Sequence, residues 1–223
     1  MVVAAVWKLC VRRCRIAVLV AGCVQWRTAH RCPPIVDRCY LDPCCCQRST
    51  KPRTGESWSR PLAVGGEEKV AAQLEKGLCK DPRWRLLHAV RGGERGSDID
   101  HVVIGPGGVF TINAKHHPDA KIWVRGDTFM VNGHRQPYIR NSRHEAKRAA
   151  GLLSASCGFP VEVAGVVVPV RAADVAVKKA PDDVFVGSRA QVSRWLRRCP
   201  EVLRADAIEA IFATATARRS TTW

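Results

Sequence analysis

The chain has no uninterrupted apolar run of the about 20 residues that a membrane-spanning helix requires. The apolar stretch Ile16–Val20 is short and follows Arg12, Arg13 and Arg15. Aromatic residues are scarce and scattered, with seven Trp, five Phe and two Tyr, which removes the stacking platform of a single-strand base binder. No C-x-x-C pair recurs at a second place, so the paired-ligand spacing of a zinc module is missing. Neither Cys157 nor Ser142 has a base at motif spacing, which argues against either as a catalytic nucleophile. Acidic residues are in deficit, 20 Asp+Glu against 36 Lys+Arg for a net charge of +16. Such a balance disfavours a cationic substrate and favours a polyanionic partner, nucleic acid or an anionic membrane surface.

What is present is enough for one globular domain with appendages: 223 residues, 46% apolar and 25% charged. The chain divides near residue 60. Residues 1–60 hold 11 Lys/Arg and 3 Asp/Glu, and eight of the eleven cysteines fall in the first 46 residues. Pro33-Pro34, Pro43 and Pro52 break this leader, and it carries no periodicity. The leader is therefore expected to be disordered, or to precede the true start of translation. Two other readings stand beside that one. Val20-Ala21-Gly22-Cys23 fits the small-residue pattern before a lipid-modified cysteine, and Cys39 with Cys44-Cys45-Cys46 offers thiolates to a metal. The remaining cysteines, Cys79, Cys157 and Cys199, are isolated, so the body reads as a reduced, cytoplasmic-type domain. A membrane-anchored lipoprotein is the alternative if Cys23 is modified.

From Gly65 the pattern turns regular. Val70, Ala71, Leu74 and Leu78 recur at helical spacing behind an acidic first turn at Glu67-Glu68. Trp84–Val90 reads as a strand and Arg91–Gly96 as a loop. Further on, Lys121–Val124 and Thr128–Val131 flank a turn, and Ser142 with Glu145 has the spacing of a capping box for a helix to about Ser156. Val161–Val170 reads as a central buried strand and Asp183–Val186 as a shorter one. Helices follow over Ser188–Arg198 and Ala205–Arg218. The fold class expected is α/β, a mixed β-sheet flanked by helices.

The most informative stretch runs from Ser97 to Lys115: two β-rich segments around Gly105-Pro106-Gly107-Gly108. Those glycines join two strands without opening a helix, so they form a turn and not a phosphate loop. Pairing Ile104 with Val109 sets Val102, Ile104 and Val109 on one face and Val103, Phe110 and Ile112 on the other, as in a strand pair covered on both sides. The same register extrapolates to Asp100 opposite Asn113 and Asp98 opposite Lys115, all four on one face, with opposed Cβ atoms about 5 Å apart. His101 falls on the other face, and His116 and His117 point to opposite faces. Hydrolysis of a phosphodiester asks for a divalent cation on hard oxygen ligands, an attacking water and a cationic group for the developing charge. Asp100 can supply a carboxylate and Asn113 a carbonyl oxygen. Lys115 can supply the ammonium, and Glu67 is a further carboxylate.

Gly66-Glu67, the run from Asp98 through Phe110, and Asn113-Ala114-Lys115 together resemble the nuclease-related (NERD) domain, of the restriction-endonuclease-like PD-(D/E)xK group, over about residues 62–223. The ending Ala217-Arg218-Arg219-Ser220-Thr221-Thr222-Trp223 resembles actinobacterial members. The resemblance implies a restriction-endonuclease-like fold and DNA cleavage dependent on Mg2+ (or Mn2+). It also implies that Glu67 and Asp100 are metal-side carboxylates and that Lys115 is the catalytic lysine. One departure stands out: the acidic residue two before the lysine is Asn113 here, which removes a unit of negative charge.

Several alternatives stay open. Asp98, Asp100 and Lys115 can form an exposed ion pair worth about 0–1 kcal/mol. Arg140, Arg143 and Lys147, at i, i+3 and i+7, form either a stripe that tracks DNA phosphates or a solvated helix face. The two functional classes are a metal-dependent deoxyribonuclease and a degenerate domain of the same fold that binds nucleic acid without cutting it.

Overall fold

A computed structural model describes residues 64–90 and 98–220. The leader, with Cys23, Cys39 and the Cys44–Cys46 cluster, and the loop 91–96 lie outside the described residues. Helix α1 (Val64–Leu78) carries Glu67 in its first turn and buries Val70, Leu74 and Leu78, the residues whose spacing marks the apolar stripe. Strands β1 (Arg85–Val90), β2 (Ile99–Gly105) and β3 (Gly108–His116) follow as an antiparallel meander. The β2–β3 register pairs Ile104 with Val109, as the apolar alternation requires.

The turn between β2 and β3 is built for packing. A side chain at Gly105 would collide with the Trp84 ring, and Gly108 sits at φ +123°, a conformation that favours glycine. The Pro106 carbonyl between them accepts hydrogen bonds from Val202 N (2.7 Å) and Leu203 N (3.1 Å). These contacts leave the loop holding the C-terminal segment in place.

Strands β4 (Lys121–Arg125), β5 (Thr128–Val131) and β6 (His134–Gln136) lead to helix α2 (Tyr138–Cys157). Then come β7 (Val163–Val170), β8 (Asp174–Lys179), β9 (Val184–Val186), α3 (Arg189–Leu196) and α4 (Ala205–Ser220). Two mixed sheets result, ordered β1-β2-β3-β7-β9 and β6-β5-β4-β8. In the larger sheet β3, β7 and β9 run parallel, and in the smaller β4 and β8 do. One face of the larger sheet packs Val103, Phe110 and Ile112 with Val70, Leu74 and Leu78 of α1 and with Val192, Trp195 and Leu196 of α3. The other packs Val102, Ile104 and Val109 with Ala149 and Leu153 of α2 and with Ile208 and Ile211 of α4. The division of apolar residues between faces is the one the alternation dictates.

Helix α2 corrects the capping-box expectation. It begins a full turn earlier than Ser142, behind Pro137, and ends on Gly158 at φ +74°, whose N–H reaches the Ser154 carbonyl. Proline suits a helix start because its missing N–H would lack an intrahelical partner there. Ser142 and Glu145 are thus interior positions, and both are buried. Ser142 lies against Gly165 of β7, where a Cβ would stand 2.5 Å from the Ser142 Oγ and 3.0 Å from its carbonyl oxygen. Gly165→Ala is expected to destabilise the fold by about 1–3 kcal/mol, measured by urea unfolding, with the apolar core otherwise unchanged.

Candidate functional site

Three elements meet at the ends of β2 and β3. The ladder between those strands closes at His101–Ile112; it does not reach the Asp100–Asn113 and Asp98–Lys115 pairs that the extrapolated register implies. On the β1 side it skips from His88–His101 to Val90–Ile99, and Ala89 adopts φ +51°. Asp100 is released from regular pairing at this point. Its Oδ2 instead accepts a hydrogen bond from Ala114 N at 2.7 Å, so strand β3 itself holds the carboxylate. Asp98 lies before the strand and is exposed.

Beyond His101–Ile112, β3 continues on β7 from Val109 to His116, which keeps side chains alternating. Asn113 and Lys115 face α2, and the residue between His117 and Lys115 faces α1. The Asn113 Nδ2 donates to Glu145 Oε2 at 2.8 Å. The Lys115 Nζ lies 5.5 Å from the Tyr138 ring centroid, a cation–π contact. Tyr138 is itself fixed by a T-shaped contact with Phe129 and by the His117 ring nitrogen 3.1 Å from its hydroxyl. On the opposite face His116 sits under Gly66, where a Cβ would come within 3.2 Å of the histidine Cβ. That close approach carries the first turn of α1, with Glu67, to the end of β3.

Electrostatics show that these side chains form one group. Burial, followed by the Asp100 charge, pushes the Glu67 carboxyl above its ordinary range, with Lys115 opposing. Asp100 is also raised, first by burial, against the pull of the Ala114 N–H and of Lys115. Glu145 is pushed up to about 7 by burial and then by Asp100, with Lys115, the Asn113 hydrogen bond and Arg148 opposing. The structure thus brings together Glu67, Asp100, Asn113 and Lys115, as the sequence suggested, and adds Glu145 and Tyr138. Glu145 carried a signal, its S-x-x-E spacing, but that signal pointed to a helix cap. Tyr138 carried none.

Among the described residues no three His, Cys, Asp or Glu side chains converge tightly enough to hold a metal ion by themselves. The donor set still fits a hard cation that keeps several waters. Asn113 Oδ1 and Glu145 Oε1 are buried acceptors without a hydrogen-bond partner, beside two carboxyls that burial drives toward protonation. His101 is buried, its Nδ1 2.8 Å from that of His88, and burial followed by the His88 charge lowers its pKa to about 3, against a hydrogen bond to the Glu67 backbone.

The basic stripe on α2 divides. Arg140 and Lys147 are exposed. The Arg143 guanidinium is engaged by the Asp183 carboxylate and by Asp127 at 2.9 Å. No described helix is long and apolar enough to cross a membrane.

Residues 63–170 match the family model of the nuclease-related domain (NERD). The matched span runs from the start of α1 to the end of β7 and contains Glu67, Asp100, Asn113, Lys115, Tyr138 and Glu145. It supports the nuclease-related family for this chain and ends short of the 62–223 span suggested by sequence resemblance. No curated protein and no solved structure matches the chain. Within the matched span, every side chain of the cluster comes from α1, the β2–β3 hairpin or α2.

Proposed function

We propose that the nuclease-related domain hydrolyses DNA phosphodiester bonds with the help of Mg2+ or Mn2+, in the manner of the PD-(D/E)xK group, on a restriction-endonuclease-like fold. The observation that supports the reading is that Asp100 and Lys115 interact electrostatically with both Glu67 and Glu145, beside the buried acceptors Asn113 Oδ1 and Glu145 Oε1 that lack partners. Glu67, Asp100 and the Asn113 carbonyl oxygen are the groups that would hold the cation. When bound, such a cation supplies Lewis acidity at a phosphoryl oxygen and lowers the pKa of a water.

The chain's own residues do the rest. The Ala114 N–H orients Asp100. Lys115, braced by Tyr138, places an ammonium beside the carboxylates, where it can position a water or offset charge developing on the phosphate. Arg140 and Lys147 on α2 are free to meet DNA phosphates. A second group of basic residues, Lys69, Lys76 and Arg189, lines a groove along α1 together with Glu68, Ala72 and Gln73. A net charge of +16 gives such contacts a favourable field.

The test is nicking of supercoiled plasmid by the full chain with Mg2+ or Mn2+, against a chelator control and against Asp100→Ala. Nicking that needs the metal and disappears in Asp100→Ala is the expected result. Folded protein that binds DNA in a salt-sensitive way, without nicking under either metal, would replace this reading with the non-catalytic nucleic-acid-binding one.

A further inference from the structure

Five buried side-chain atoms among the described residues lack a hydrogen-bond partner, and four of them lie on the seam between β3 and α2: Thr111 Oγ1, Asn113 Oδ1, Ser142 Oγ and Glu145 Oε1. Native interiors seldom leave such atoms unpaired, and a cluster of them marks a place for water or an ion. Glu145 is the carboxylate that α2 brings to this seam, and it is 8% exposed. Its Oε2 accepts from Asn113 Nδ2. An amide is planar, so committing Nδ2 to the helix turns Oδ1 away from Glu145 and leaves it as the free acceptor.

We propose that Glu145 is the third acid of the site, acting through Asn113: the helix carboxylate fixes the amide so that its Oδ1 faces a divalent cation, and supplies the negative charge that an amide lacks. This rests on the metal-dependent reading above. Glu145 is a positioning residue. The charge that a strand carboxylate would carry at position 113 is held one hydrogen bond further back, on α2. A hydrogen-bonded partner behind a metal ligand raises the ligand's basicity and sets its orientation, and its loss typically weakens metal affinity by about ten- to a hundredfold.

The site offers a reciprocal test, because Asn113 and Glu145 can exchange roles. In Asn113→Asp/Glu145→Gln the hydrogen bond reverses direction and the carboxylate moves onto the strand, with net charge unchanged. Mn2+ binding to the full chain, read as loss of the free-Mn2+ paramagnetic resonance signal, needs neither DNA nor turnover. Glu145→Gln alone is expected to weaken Mn2+ binding by about tenfold or more, and the double exchange to restore it. Far-UV circular dichroism and the unfolding midpoint confirm that each variant is folded. Wild-type affinity in Glu145→Gln, or no recovery in the folded double variant, would overturn the proposal and leave Glu145 a structural residue. Its failure is distinct from failure of the nuclease reading. Plasmid nicking with an unaltered Glu145→Gln affinity sinks this inference alone, and the exchange pattern without nicking sinks catalysis alone. Absence of Mn2+ binding in the wild type sinks both.

Discussion

Lys115→Ala is expected to lower metal-dependent plasmid nicking by about a hundred- to a thousandfold, the usual loss when one preorganised donor to the transition state is removed. The ammonium is half-buried and stands over the Tyr138 ring, 5.5 Å from its centroid, and it depresses the carboxyls of Glu67, Asp100 and Glu145. Its removal leaves the acids without the one cation that each of them senses in common. Mn2+ binding should therefore hold or tighten while nicking collapses, and that divergence separates lost transition-state charge from a damaged metal site. Lys115→Arg is expected to recover little. A planar guanidinium distributes its charge and presents a fork where the site holds a compact ammonium. Equal losses of nicking and of Mn2+ binding in Lys115→Ala would show instead that Lys115 only maintains the fold around the carboxylates.

Local sequence carried the hairpin and the strand residues of the cluster, Asp100, Asn113 and Lys115. The alternation in Val102–Ile104 and Val109–Ile112 fixes which residues face which helix layer, and the register pairing Ile104 with Val109 follows from it. Extending that register places Asp100 beside Asn113. In the structure the ladder stops one pair earlier, and the Ala114 N–H captures the carboxylate. The polar cluster survives the change because the same three strand positions supply it. Legibility fails where partners are distant in the chain. Strand β8 is half-buried at the edge of a sheet, and its partner Lys121–Arg125 lies about fifty residues earlier. Its sequence alone gives no strong alternation to report that pairing. Glu145 fails for a different reason: Ser142 and Glu145 have capping-box spacing, and only the earlier start at Tyr138 turns them into buried interior residues. One spacing serves two structures, and the choice between them is made by packing on Gly165 and Asn113.

Glu145→Gln is expected to stabilise the metal-free protein at pH 8 relative to the wild type, and to make little difference at pH 5. The sign follows from proton linkage. The folded protein holds the Glu145 proton up to about pH 7, against an ordinary value of 4.5, so between those values the folded state binds more protons than the unfolded state. Stability attributable to this group is complete below about pH 4.5, declines as pH rises through the window, and stays lost above 7. The full difference amounts to about 3 kcal/mol as an upper limit, so a gain of about 1–3 kcal/mol is expected in urea unfolding at pH 8. Glutamine keeps a carbonyl acceptor for the Asn113 amide and carries no charge to desolvate. If the variant were no more stable relative to wild type at pH 8 than at pH 5, the carboxylate would be solvated in the folded state and could not act as a buried acid. The two Glu145→Gln experiments, one on unfolding and one on Mn2+, point in opposite directions by design. A buried, half-satisfied carboxylate works against folding at neutral pH, and a glutamine would serve the helix better. Its presence beside Asp100 and an amide with a free oxygen fits the proposal of a metal site, because a bound cation would offset the desolvation that the metal-free fold must bear.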